Sequence, residues 1–112
     1  MKNVKRPWGN FKQFAFNEKC TVKVLTVNPH QELSLQKHKR RKEVWFFLTK
    51  GYVRIGDNKF KVRKGDQVII KKGQVHRAIA RKNQVMFLEI SFGKFSEKDE
   101  IRLEDEYGRV KK

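Results

Sequence analysis

The chain has 112 residues, which is enough for one domain with a single core. Its lone cysteine, Cys20, excludes an internal disulfide, and no apolar stretch approaches membrane-spanning length, so a soluble cytoplasmic protein is expected. The net charge of +16, from 28 Lys and Arg against 12 Asp and Glu, raises the question of a polyanion partner. The cations are spread over the whole chain, however, and no helix-turn-helix, zinc-finger or RNP pattern is present. Specific nucleic-acid binding and membrane association are therefore not expected. An anionic small molecule or a Lys-rich proteome accounts for the charge equally well.

The pattern along the chain is a series of short β-like runs divided by turn residues. Thr21 to Val27 is the first and ends at Asn28-Pro29. Leu33 to Gln36 follows. Val44-Trp45-Phe46-Phe47-Leu48 is apolar on both faces, as a central strand between two layers would be. Lys50-Gly51 turns the chain into Tyr52 to Ile55, and Gly56-Asp57-Asn58 reads as a hairpin turn before Phe60 to Val62. Lys64-Gly65-Asp66 leads to Val68 to Ile70, and Gly73 precedes Val75 to Ile79. Val85 to Phe92 is the last strong strand. Glu97 to Glu106, capped by Ser96, is the only helix the pattern predicts. Short strands at regular spacing predict an all-β sandwich or barrel. Nine Phe and two Trp supply its apolar filling, so Trp8, Phe11, Trp45 and Phe47 are read as packing. Arg6-Pro7-Trp8-Gly9 is expected to close one end of the barrel, and Cys20 to be an inert strand residue.

Four residues carry the chemistry. Gln36 and His38 are two apart, so on a strand they share a face. Glu43 follows the basic turn Lys37 to Lys42, and His76 follows the Gly73 turn. Imidazole nitrogens with hard oxygens suit a borderline divalent ion and leave positions open for water or a sugar oxygen. Zn²⁺ is the first choice; Mn²⁺, Fe²⁺, Co²⁺ and Ni²⁺ accept the same set. Glu89, in Phe87-Leu88-Glu89-Ile90, is a candidate general base. Facing the interior, its pKa would rise with burial; facing out, it would be a solvated strand residue. His30 and Lys23 are weaker candidates.

Pro29 to Gly51, with Gln36, His38 and Glu43, and Gly65 to His76 resemble the two motifs of the cupin superfamily. Leu33-Ser34-Leu35-Gln36-Lys37-His38, then Arg41 and Glu43-Val44-Trp45, resemble more narrowly the cupin domain of type II mannose-6-phosphate isomerases. That domain is often fused behind a GDP-mannose pyrophosphorylase domain. Arg6-Pro7-Trp8-Gly9-Asn10-Phe11 and Arg102-Leu103-Glu104-Asp105-Glu106-Tyr107-Gly108-Arg109 resemble the family's opening and closing segments. The chain departs from the pattern at His30, usually glycine, at Lys71, usually proline, at Ala80 and at Ser91.

This resemblance implies a single cupin domain over residues 1–112, a double-stranded β-helix or jelly-roll barrel with a short C-terminal helix. It further implies one divalent metal on Gln36, His38, Glu43 and His76. The implied reaction interconverts mannose 6-phosphate and fructose 6-phosphate through an enediol and feeds activated mannose synthesis. Glu89 and Arg109 are then the expected catalytic groups. Lys37, Arg41 and Arg102 are expected around the phosphorylated sugar, where a guanidinium makes paired bonds that a lysine cannot. A homodimer paired through its sheets is also implied, with Val44, Phe46 and Leu48 as the candidate apolar face. The alternative is a non-catalytic cupin that binds metal and sugar. A basic nucleic-acid-binding β-barrel ranks below both.

Overall fold

A computed structural model of the chain describes residues 1–93 and 97–104. The strands are β1 (Lys2–Arg6), β2 (Gly9–Gln13), β3 (Cys20–Val27), β4 (Leu35–His38), β5 (Lys42–Phe47) and β6 (Gly51–Ile55). They continue with β7 (Asn58–Val62), β8 (Gln67–Ile70), β9 (His76–Ile79), β10 (Val85–Phe92) and β11 (Glu100–Glu104). Two antiparallel sheets make the body, in the orders β3-β10-β5-β8 and β11-β4-β9-β6-β7, and among the described residues β1 pairs only with β2. Among the described residues no helix is long and apolar enough to cross a membrane.

Alternation along each strand decides which side chains meet between the sheets. Trp45 and Phe47 of β5 and Phe87 of β10 are wholly buried there, with Trp45–Phe87 and Phe47–Phe87 ring centroids 4.5 and 5.1 Å apart. Val53, Val62, Ile70, Ala78 and Val85 complete the core around them. Gly51 is required by this packing: a Cβ there would lie 2.7 Å from Cγ1 of Val85.

The outer face of the β3-β10-β5-β8 sheet is apolar too. Val22, Ile90, Val44 and Ile69 stand in one cross-strand row, and Val24, Leu88 and Phe46 in the next. Phe14 folds over Phe46 with ring centroids 5.1 Å apart. Val22 and Val24 remain more than half exposed. The two-faced apolar character of Val44 to Leu48 thus has its reason: β5 lies inside its sheet, with apolar rows above and below.

Two expectations are corrected. The helix expected over 97–106 is a 3-10 turn at Glu97–Asp99 followed by strand β11. Extended pairing with β4 outweighs the local helical pattern there, while Ser96, Asp105 and Glu106 lie outside the described residues. The Asp99 carboxylate accepts the backbone N–H groups of Lys39 and Arg40 at 3.0–3.1 Å, which pins the basic turn before β5. Second, Arg6 to Gly9 does not close the barrel. It is the tip of the β1–β2 hairpin, and Trp8 is 74% exposed while Phe11 lies at the surface.

Urea unfolding should separate these environments. Phe87→Ala is expected to cost about 3–5 kcal/mol and Gly51→Ala about 1–3 kcal/mol. Trp8→Ala should change stability by less than about 0.5 kcal/mol; a Trp8 effect as large as that of Phe87 would contradict the exposed hairpin.

Candidate metal centre

Strand pairing assembles the site from residues distant in sequence. On β4, Gln36 and His38 share one face and are both buried. Gln36 lies opposite His76 of β9 and Arg102 of β11, and His38 lies opposite Glu100. Glu43 comes from the other sheet, on the inner face of β5, with Ser91 of β10 beside it. The ligating atoms of His38, Glu43 and His76 lie within 4.8 Å of one another. His38 Nδ1 is 3.7 Å from Glu43 Oε2, and His76 Nε2 is 3.8 Å from Glu43 Oε1. These separations are too long for hydrogen bonds.

Among the described residues, Gln36 Oε1, His38 Nδ1 and His76 Nε2 are buried atoms without a hydrogen-bond partner. Such atoms are costly unless something else engages them. Two imidazole nitrogens and an amide oxygen from one sheet, with a carboxylate from the other, are a donor set for a borderline divalent ion, so these residues fit the metal expected from the sequence.

The two histidines differ in preparation. His76 Nδ1 donates to the Gln74 carbonyl at 2.8 Å, which leaves the Nε2 lone pair free to ligate. Burial pushes this imidazole down to about 4, against the Gln74 carbonyl and Glu43, so it is neutral at physiological pH. His38 Nε2 instead accepts from Arg41 Nη2 at 2.8 Å, which puts the ring hydrogen on Nδ1. For Nδ1 to ligate, that hydrogen must move to Nε2 and Arg41 must give way. The Glu100 carboxylate, 3.7 Å from Nε2, is the acceptor that would then hold the ring. Burial works to raise the Glu100 carboxyl, but the His38 ring and Arg102 outweigh it and keep it below the usual carboxylate range. Arg102 Nη2 holds its other oxygen at 2.6 Å.

Glu43 is enclosed by donors. Arg41 Nε reaches Oε2 at 2.9 Å, Trp45 Nε1 reaches Oε1 at 3.1 Å, and the Ser91 hydroxyl reaches Oε2 at 3.3 Å. Trp45 therefore both packs the core and positions the Glu43 carboxylate.

A cavity of about 180 Å³ reaches this cluster at Gln36 and His38, with Lys23, Arg41, Glu89, Glu100 and Arg102 also in its wall. Glu89 is buried on the inner face of β10, across from Lys23 and Trp45. Burial, then the Glu43 charge, push its carboxyl up to about 7, against the pull of Arg41 and Lys23. Of the two orientations open for Glu89, the structure has the inward one.

The other sequence candidates divide by placement. Arg41 is buried against His38 and Glu43, and Arg102 lines the cavity. Lys37, between Gln36 and His38, alternates to the opposite face of β4. Arg109 lies outside the described residues. His30 is exposed in a loop, with φ of 63° at a position where the resemblance expects glycine. Sequence reasoning missed Glu100, because its segment reads as helix. Its signal was the alternation Glu100-Ile101-Arg102, which puts the acid and the arginine on one strand face.

Comparison with known proteins adds the following. Residues 1–105 match the family described as mannose-6-phosphate isomerase C-terminal. The chain is 35% identical over 110 residues to the alginate biosynthesis protein AlgA of Pseudomonas aeruginosa, covering 96% of this chain and 23% of that protein. It is 32% identical over 114 residues to the mannose-1-phosphate guanylyltransferase ManC of Salmonella typhimurium, covering 97% and 23% respectively. The chain thus spans about a quarter of the length of the curated relatives it matches. Among solved structures, a cupin-2 domain from Rhodospirillum rubrum superposes with a TM-score of 0.64 at 20% identity, over 78% of this chain and 64% of that one. The fold is accordingly a cupin double-stranded β-helix.

Metal-stripped protein titrated with Zn²⁺ against a chromophoric chelator should bind one ion. His76→Ala should abolish that binding, and Glu100→Gln should weaken it by about 10–100-fold. Unchanged affinity in both variants would put the ion elsewhere.

Proposed function

The chain belongs to the mannose-6-phosphate isomerase C-terminal family, and on that premise we propose that it is a metal-dependent aldose–ketose isomerase for mannose 6-phosphate and fructose 6-phosphate. The observation that carries this reading is the placement of Glu89. A carboxyl with a pKa near 7 stands in the wall of the same small cavity that Gln36 and His38 line, and His38 belongs to the His38–Glu43–His76 cluster. A group poised at that value both takes and returns a proton at neutral pH.

A divalent ion held by Gln36, His38, Glu43 and His76 would polarise the sugar oxygens as a Lewis acid. The chain's own groups do the rest. Glu89 takes the proton from C2 of the open-chain aldose, and the C–H electron pair becomes the C1=C2 bond as the C1 oxygen gains a proton. Glu89 then returns its proton to C1 while the C2 hydroxyl loses its own and becomes the ketose carbonyl. Lys23, opposite Glu89, favours the carboxylate form. Arg102, fixed by Glu100, offers the phosphate a guanidinium edge. Trp45 and Phe87, wholly buried, keep water from the inner side of the site.

A homodimer is proposed on the apolar outer face of the β3-β10-β5-β8 sheet. Its two cross-strand rows end in the exposed Val22, Val24 and Ile69. Ile90 and Val44 between them are buried, so the exposed apolar groups lie at the two edges of this face, and we take them as the association surface. Light scattering should give twice the chain mass, reduced to one chain mass by Val24→Lys; a monomer in the unaltered protein would remove this part of the reading.

A coupled assay should show conversion of mannose 6-phosphate that is lost with chelator and restored by a divalent metal. Glu89→Gln should bind metal normally yet lose about 10²-fold or more in turnover. In the unaltered protein kcat/KM should fall as pH drops below about 7, as Glu89 becomes protonated. Absence of turnover with any metal, in folded and metal-loaded protein, would leave a sugar-binding cupin as the account.

A further inference from the structure

A second cavity lies at the other end of the barrel. Tyr52 of β6 pairs with Ile79 of β9, three residues along from His76, so the two ends are about 10 Å apart along the sheet. This cavity has a volume of about 560 Å³ and shares no residue with the one at the metal centre. It is within the usual size range of small-molecule sites.

The lining combines an apolar floor with converging positive charge. Gly51, Val62 and Val85 form the floor, all buried. Lys50, Lys61, Arg63, Arg81 and Lys82 surround it, with Asp66 the only acidic residue in the lining. Asp66 is committed to its own turn, where Oδ2 accepts the backbone N–H of Arg63 at 2.7 Å. None of the five cations has a carboxylate partner among the described residues. The Arg81 guanidinium instead lies over the Tyr52 ring, 4.8 Å from its centroid.

Unneutralised like charges held around one cavity repel each other, and an anion relieves that repulsion. The stacked Tyr52–Arg81 pair adds a flat surface on which a heterocycle packs. We propose that this far-end cavity is a binding site for a nucleoside diphosphate, with the base against Tyr52 and Arg81 and the phosphates among Lys50, Lys61, Arg63 and Lys82. A bounded cavity with an apolar floor fits one small molecule rather than the length of a nucleic-acid strand. The site is independent of the metal centre and of the isomerase reading.

Calorimetry of the full chain tests this with ADP, inorganic phosphate and a single-stranded oligonucleotide as probes. One ADP per chain is expected, bound about tenfold or more tightly than phosphate and weakening as salt rises. Arg81→Ala should weaken ADP by about tenfold, Lys82→Ala should weaken it in the same direction, and Arg102→Ala should leave it unchanged. Thermal melting checks that each variant is folded. No binding of ADP, or affinity unchanged in both folded Arg81→Ala and Lys82→Ala, would overturn the proposal. So would phosphate binding as tightly as ADP, loss of ADP in Arg102→Ala, or an oligonucleotide binding far more tightly through the same residues.

Discussion

The architecture of the site depends on one buried carboxylate, Glu43, which is 1% exposed at the heart of a barrel only 112 residues long. A carboxylate in such a place is tolerated only when its oxygens are engaged. Arg41, Trp45 and Ser91 supply donors from β5, the turn before it and β10, and two imidazoles face it from the opposite sheet. The aromatic core and the polar site are therefore joined at Trp45: its ring packs against Phe87 while its N–H holds the Glu43 carboxylate. Arg41 is a cation inserted between Glu43 and His38, so the cluster has an internal counter-charge. A metal ion bound there would compete with that counter-charge, and Glu100 is placed to be the acceptor that His38 would need once Arg41 moved away.

Much of the fold was legible because alternation and turn chemistry agree locally. Val85 to Phe92 is read with the observed bounds of β10, and the glycines at 56, 65 and 73 do adopt positive φ. Elements whose existence depends on distant pairing were not legible. Glu97 to Glu104 carries charges that suit a helix, and only β4 running alongside makes most of it a strand. Trp8 and Phe11 are large and apolar, which argues for burial, yet among the described residues their hairpin pairs with itself alone. The site followed the same division. The i, i+2 spacing put Gln36 and His38 on one face, and that reading needed no partner. The inward turn of Arg41, the role of Glu100 and the second task of Trp45 arise only from contacts across sheets.

The +16 charge resolves into distinct local environments rather than one surface. At the metal end, Arg41 and Arg102 are tied to Glu43 and Glu100. The Lys37–Lys42 run is held by Asp99 through its backbone, leaving Lys39, Arg40 and Lys42 exposed. Among the described residues, the far-end cations have no such acids. Among the described residues, acid-paired cations and cations without a carboxylate partner thus sit at opposite ends of one barrel, and only the first are built around buried, directional donors.

The central claim is that Glu43, His38 and His76, with Gln36, form a metal centre. Anomalous diffraction at the zinc absorption edge, from crystals of stripped protein soaked in Zn²⁺, tests it most directly. The account predicts a single strong peak among these four side chains, with Arg41 withdrawn from His38 and Glu100 hydrogen-bonded to it. A cluster without a peak, with Arg41 still seated between Glu43 and His38, would contradict it.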